Sequence, residues 1–170
     1  IARVVTDLNR RIFRRLFEQV VPADIRAEAC LMVMGSEGRA EQLLPTDQDN
    51  AVIFGSPPER ARIEEPLRAF SQALCKMGYP LCPGNVMVSN PAWAREHAAY
   101  RRDLARWLFD GTSEGQLNLA IFYDAAAVAG DATLLDSLKG HLFELLQREG
   151  GHLGYFAKAV LQFPLPVGFL

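Results

Sequence analysis

Gly35-Ser36-Glu37-Gly38-Arg39-Ala40-Glu41-Gln42 and, after Pro45, Thr46-Asp47-Gln48-Asp49-Asn50 separate two short apolar runs. The run before them is Ala29-Cys30-Leu31-Met32-Val33-Met34; the run after them extends from Asp49 to Phe54 and closes at Gly55-Ser56-Pro57-Pro58. Each run is too short for a helix and ends on turn residues, which predicts two buried strands. Residues 37 to 44 between them read as a short helix, ended by Pro45.

The same stretch carries the chemistry. Residues two apart in a strand point the same way, so Asp47 and Asp49 would share a face with Cα atoms about 7 Å apart. Two carboxylates so placed repel each other unless a cation lies between them. Hard divalent ions such as Mg²⁺ prefer oxygen ligands and share their shell with substrate phosphates. Gly35-Ser36 ends one strand and opens a helix, where outward backbone amides can hold an anion. Glycine permits close approach of a phosphate, the Ser36 hydroxyl can donate to it, and Arg39 about one turn on can add a positive charge. The alternative for the acidic pair is a turn stabilised by the Asp47 and Asn50 side chains; for Arg39 it is a surface ion pair with Glu41 or Glu37. A P-loop is excluded because Gly38 is followed by Arg39-Ala40, and an EF-hand because Ala51 and Val52 occupy a ligand and a glycine position. Gly35-Ser36-Glu37-Gly38 also has the wrong interval for a dinucleotide-binding turn.

Working outward, Val5, Leu8, Ile12, Leu16 and Val20 predict an amphipathic helix over residues 2 to 21, stopped by Pro22. Ile63, Leu67, Phe70, Leu74 and Met77 predict a second, with Gly78 at its end. Asn85 to Ser89 reads as a third strand. Beyond it the pattern predicts helices from Pro91, capped by Asn90, to about Phe109; from Ser113, boxed with Gln116, to about Val128; from Asp131 through Leu145; and over residues 152 to 162. The fold expected is α+β, a small mixed β-sheet with flanking helices in residues 1–110 and a helical C-terminal part in residues 111–170.

Of the 170 residues 49% are apolar and 22% charged, which excludes a disordered chain. The formal charge of -2 argues against a strongly basic nucleic-acid binder. Cys30, Cys75 and Cys82 form no C-x-x-C and cannot all pair, so a reduced, cytoplasmic chain is expected. His97, His141 and His152 have no zinc-ligand spacing, and no apolar run is long enough to cross a membrane. The start at Ile1 and the apolar stop at Phe163-Pro164-Leu165-Pro166-Val167-Gly168-Phe169-Leu170 are read as cuts from a longer protein.

Gly-Ser, a short helix, then Asp-x-Asp resembles the signature of DNA polymerase beta-like nucleotidyltransferases. The fuller Gly35-Ser36-x-Gly38-Arg39-x-Glu41 with Thr46-Asp47-x-Asp49 is similar to the nucleotidyltransferase domain of unknown function that is related to the PII-protein uridylyltransferase. Pro83-Gly84-Asn85-Val86-Met87, Asn90-Pro91-x-Trp93 and Val128-Ala129-Gly130-Asp131 resemble the same family, so the likeness covers most of the chain from about Arg3. It implies that Asp47 and Asp49 bind Mg²⁺ or Mn²⁺ and act in catalysis, and that Gly35, Ser36 and Arg39 hold a nucleoside triphosphate. It further implies bacterial signal transduction, a signalling protein as acceptor, and neighbouring cyclic-nucleotide-binding and CBS domains. Many superfamily members carry a third carboxylate on the third strand, where this chain has Asn85-Val86-Met87-Val88-Ser89 and offers the neutral oxygen of Asn85. Relatives commonly have an arginine where this chain has Ala125-Ala126-Ala127.

The function expected is metal-dependent transfer of a nucleoside monophosphate to an acceptor hydroxyl. The alternatives are a catalytically weak nucleotide sensor that biases regulatory neighbours, and an interaction module using the helical half. Asp124, on an apolar helix, is a candidate for the missing acid. Arg10, Arg11, Arg14 and Arg15 form a basic patch, read as a solvated face or a contact with an upstream part of a longer protein, with nucleic-acid binding as the lesser alternative. Arg95, Arg102 and Arg106 share a helical spacing, read as a solvated face or a triphosphate contact. Trp93 and Trp107 are read as core anchors, and the histidines and cysteines are given no role.

Overall fold

Every residue of Ala29–Val33 is buried. A strand covered on both faces has no polar alternation, which is why its sequence is a continuous apolar run. In the computed structural model, which describes residues 2–41 and 47–148, the order is α1 (Ala2–Val20), α2 (Ala23–Ala27), β1 (Ala29–Val33), α3 (Gly35–Gly38), β2 (Asn50–Phe54), α4 (Arg60–Lys76), β3 (Ala94–Glu96), α5 (His97–Phe109), α6 (Ser113–Tyr123), β4 (Ala126–Gly130) and α7 (Thr133–Arg148). The four strands form one sheet in the order β3-β2-β1-β4. β1 is antiparallel to β2 and β4, and β2 is parallel to β3, so the sheet is mixed and the α+β architecture holds.

Each face of the sheet has its own core. On one side Leu31, Val33, Val52 and Phe54 meet Phe13 and Phe17 of α1 and Leu67, Phe70 and Leu74 of α4. On the other, Cys30, Met32, Ala51 and Ile53 meet Tyr100 and Leu104 of α5, Phe122 of α6 and Leu138 of α7. Trp93 and Trp107 anchor this second core, their ring centroids 5.7 Å apart.

Several expectations are corrected. The stripe of α1 is rotated from the one expected: Phe13, Leu16 and Phe17 are buried, while Leu8 is 57% exposed. The aromatic rings bring more apolar area to the sheet than Leu8 does, and they set the helix's rotation. Residues 85–89 form no strand, being irregular chain that runs into a bend and a turn, and the third strand is Ala94–Glu96. Asn50 nonetheless holds that segment beside β2, donating its amide to the Val86 carbonyl and accepting the Val88 amide on its side chain. Asn90 accepts the Ala92 amide within a turn rather than capping a helix, and α5 starts at His97. The cap of α6 is Thr112, whose hydroxyl accepts from the Gly115 amide, one residue ahead of the box expected at Ser113.

The largest correction is at residues 126–130, where the helix from Ser113 is expected to continue to about Val128. They form β4, an edge strand on β1. Its pairing skips Val128 between Leu31 and Met32, a bulge that leaves the Val128 carbonyl to accept from Arg14 of α1 at 2.9 Å. Arg14 therefore shields an edge, and Arg10 likewise donates to the Gly38 carbonyl. The sheet thus draws a strand from the stretch expected to be wholly helical. α3 is a single turn over Gly35–Gly38, and residues 39–41 of the helix expected over residues 37 to 44 are turn and irregular chain; residues 42–44, and the helix expected over residues 152–162, fall outside the described residues. Among the described residues, no helix is long and apolar enough to cross a membrane.

Candidate active site

β1 ends where β2 and β4 begin, because both pair with it antiparallel: Val33 faces Asn50 on one side and Ala126 on the other. The motif residues gather at this end of the sheet. Gly35 takes φ +58, a conformation open chiefly to glycine. A Cβ placed on it would lie 2.8 Å from Asp49 Oδ2, so the absence of a side chain lets the turn sit directly against that carboxylate. The Met34 amide, donating to the Asp49 carbonyl at 2.9 Å, fixes the approach. Met34 gives α3 no side-chain cap, so the amides opening the turn at Gly35 and Ser36 have no acceptor from that position.

Asp47 and Asp49 precede β2 rather than lie in it, yet they keep the alternation of an extended chain. Gln48 between them is fully buried, its amide nitrogen donating to the Ser71 and Tyr79 carbonyls and its backbone to Pro80. With Gln48 pinned inward, the acids on either side project together. One ligand atom each from Asp47, Asp49 and Cys82 lie within 4.8 Å of one another. Burial holds the Asp49 acid above its ordinary range; the hydrogen bond from Cys82 opposes this and the Asp47 charge adds to it. Burial likewise pushes the Cys82 thiol up to about 11. A divalent ion would relieve the repulsion between the two acids, and this donor set, beside a cradle that a Cβ would fill, fits one.

Ser36 follows Gly35 in α3, and Arg39 stands at the end of that turn. Arg39 is engaged by carboxylates: its Nε donates to Glu41 at 2.8 Å and its Nη1 to Asp124. Asp124 is therefore the partner of Arg39 and is not a member of the Asp47–Asp49–Cys82 cluster. The arginines considered for triphosphate contact are also paired: Arg95 and Arg106 with the buried Asp103, Arg102 with Glu96. Glu37 turns inward, where Asn9 donates to it at 3.1 Å and Tyr79 in turn donates to Asn9 at 2.6 Å.

A family model described as "Putative nucleotidyltransferase DUF294" matches residues 1–114. The chain belongs to this nucleotidyltransferase family. No curated protein and no solved structure matches it. The matched span holds Gly35, Asp47, Asp49 and Cys82, while β4 and α7 lie beyond it.

Two residues of this nucleotidyltransferase escape sequence reading. Gln48 carried a usable signal, since a residue between two acids in an extended segment must face the opposite way. Cys82 carried none: it is remote from Asp49 in the chain and reaches it only through the fold.

Proposed function

We propose that this domain transfers a nucleoside monophosphate from a nucleoside triphosphate to an acceptor hydroxyl. The acceptor oxygen attacks the α-phosphorus, the bond to the β-phosphate's bridging oxygen breaks, and pyrophosphate leaves as the hydroxyl proton is lost. The observation that carries this reading is the approach of Gly35 to the Asp49 carboxylate. It supports a phosphate turn in contact with the residues that would hold a divalent cation, Mg²⁺ or Mn²⁺ in the expectation above. When bound, such an ion neutralises triphosphate charge and stabilises the leaving group. Asp47 and Asp49 hold it, Gly35 admits the phosphates, and the Ser36 hydroxyl donates to them. Arg39 supports the phosphates by exchanging a carboxylate partner for a phosphate oxygen. A signalling protein as acceptor, with regulatory cyclic-nucleotide-binding or CBS neighbours, follows from the resemblance to the uridylyltransferase.

A nucleotide sensor is the second reading. The double engagement of Arg39 by Glu41 and Asp124 favours it, together with the lack of acid in residues 85–89. Label transfer separates the two. The full chain is incubated with each α-labelled nucleoside triphosphate, divalent metal and cell extract, beside Asp47→Asn and Asp49→Asn. Metal-dependent labelling of a macromolecule, lost by a factor of about 100 or more in either variant, is the expected result. Nucleotide binding without any transfer supports the sensor, and labelling indifferent to both substitutions contradicts the enzyme.

A further inference from the structure

The segment carrying Cys82 is tied to the acidic pair on both sides. The Gln48 amide donates to the Pro80 carbonyl at 2.9 Å and the Asn50 amide to the Val86 carbonyl at 3.1 Å. The loop between Pro80 and Val86 therefore straddles Asp49. A turn bond from the Asn85 amide to the Cys82 carbonyl closes it, with Asn85 held at φ +55. Sulfur is thus placed by backbone bonds, within 4.8 Å of ligand oxygens from both acids. This matters for the choice of metal. Mg²⁺ demands near-octahedral oxygen donors and completes its shell with water and phosphate. A borderline-soft ion such as Zn²⁺ accepts sulfur and carboxylate oxygen together, and three protein ligands with one open position is its usual catalytic arrangement.

We infer that Asp47, Asp49 and Cys82 form a three-ligand centre that selects a borderline transition ion, of the zinc or cobalt kind, over Mg²⁺. The inference rests on the metal–nucleotide reading above and names the class of metal. The thiol gives its proton to bulk water as the metal–sulfur bond forms, and the fourth position is left for a phosphate oxygen. The role usually met by a third carboxylate thereby falls to a thiolate.

Cobalt(II) is the probe, titrated into the full chain carrying Cys75→Ser so that the exposed thiol of Cys75 adds no background; Cys30 is buried in the core. A sulfur-to-cobalt charge-transfer band that saturates at one ion per chain is expected. Cys82→Ser should abolish the band and weaken cobalt and zinc binding by about tenfold or more, with Mg²⁺ binding unchanged. Cys82→Asp should raise Mg²⁺ affinity by restoring an all-oxygen set. As a measurement that needs no variant at this position, zinc should protect Cys82 from alkylation by iodoacetamide where Mg²⁺ does not. Cobalt bound without the band, together with zinc giving no protection, overturns the sulfur ligand but leaves the carboxylate site standing, provided Asp49→Asn weakens binding. Divalent ions that bind neither tightly nor in an Asp49-dependent way overturn both readings.

Discussion

Glu37 stands between Ser36 and Gly38 of α3, yet only 5% of it is exposed. A carboxylate in that place loses its hydration, and burial raises its acid above the ordinary glutamate range, against the bond from Asn9 and the charge of Arg10. The folded chain therefore keeps a proton that the unfolded chain has already released. The stability Glu37 contributes is full below the ordinary glutamate pKa and is lost as pH rises through the raised one. Asp49 has the same sign, with burial again the leading cause. Glu37→Gln removes the charge but keeps the acceptor for Asn9, so it should flatten the decline of stability across mildly acidic pH. Denaturant titration of both proteins over that range measures this; parallel curves would contradict it. This inward acid also tethers α3 to α1 through Asn9.

At the scale of elements, β4 shows how much tertiary context can override local preference. Ala125-Ala126-Ala127-Val128-Ala129 is alanine-rich and alanine is the strongest helix former, so the sequence reads as helix. The edge of β1 needs hydrogen-bond partners, however, and burial of Val128 and Ala125 against the sheet secures them. Gly130 permits the exit: at φ +80, a Cβ there would lie 1.9 Å from the Ala29 carbonyl oxygen. Gly130→Ala should therefore cost about 3 kcal/mol, read as a fall in Tm of roughly 10 °C. A change below about 1 kcal/mol would show that β4 tolerates a different path. The contrast with β1 and β2 explains which elements were legible. Their apolar runs are bounded by turn residues, and burial on both faces leaves one interpretation. β3 was missed because Asn90 and Pro91 mimic a helix start, whereas Asn90 closes a turn and the strand follows it. At the candidate site, the motif singled out Gly35, Asp47 and Asp49, which the fold brings together; Cys82 joins them only through the loop's backbone bonds to Gln48 and Asn50.

In the whole molecule the sheet is a partition, with α1 and α4 on one face and α5, α6 and α7 on the other. The site lies at one edge of that partition, where the end of β1 meets the starts of β2 and β4. This placement brings the acidic pair and the Arg39–Asp124 ion pair to the same end of the sheet, a concentration of charge that a formal total of -2 conceals. The central claim is that this end binds nucleotide through a metal held by Asp47 and Asp49. Calorimetric titration of nucleoside triphosphate into the full chain, with and without divalent ion, tests it most directly. Binding should require the ion and weaken by about tenfold or more in Asp49→Asn and in Gly35→Ala, whose new methyl group would crowd the Asp49 carboxylate. Binding of equal strength without metal, unmoved by either substitution, would contradict the account.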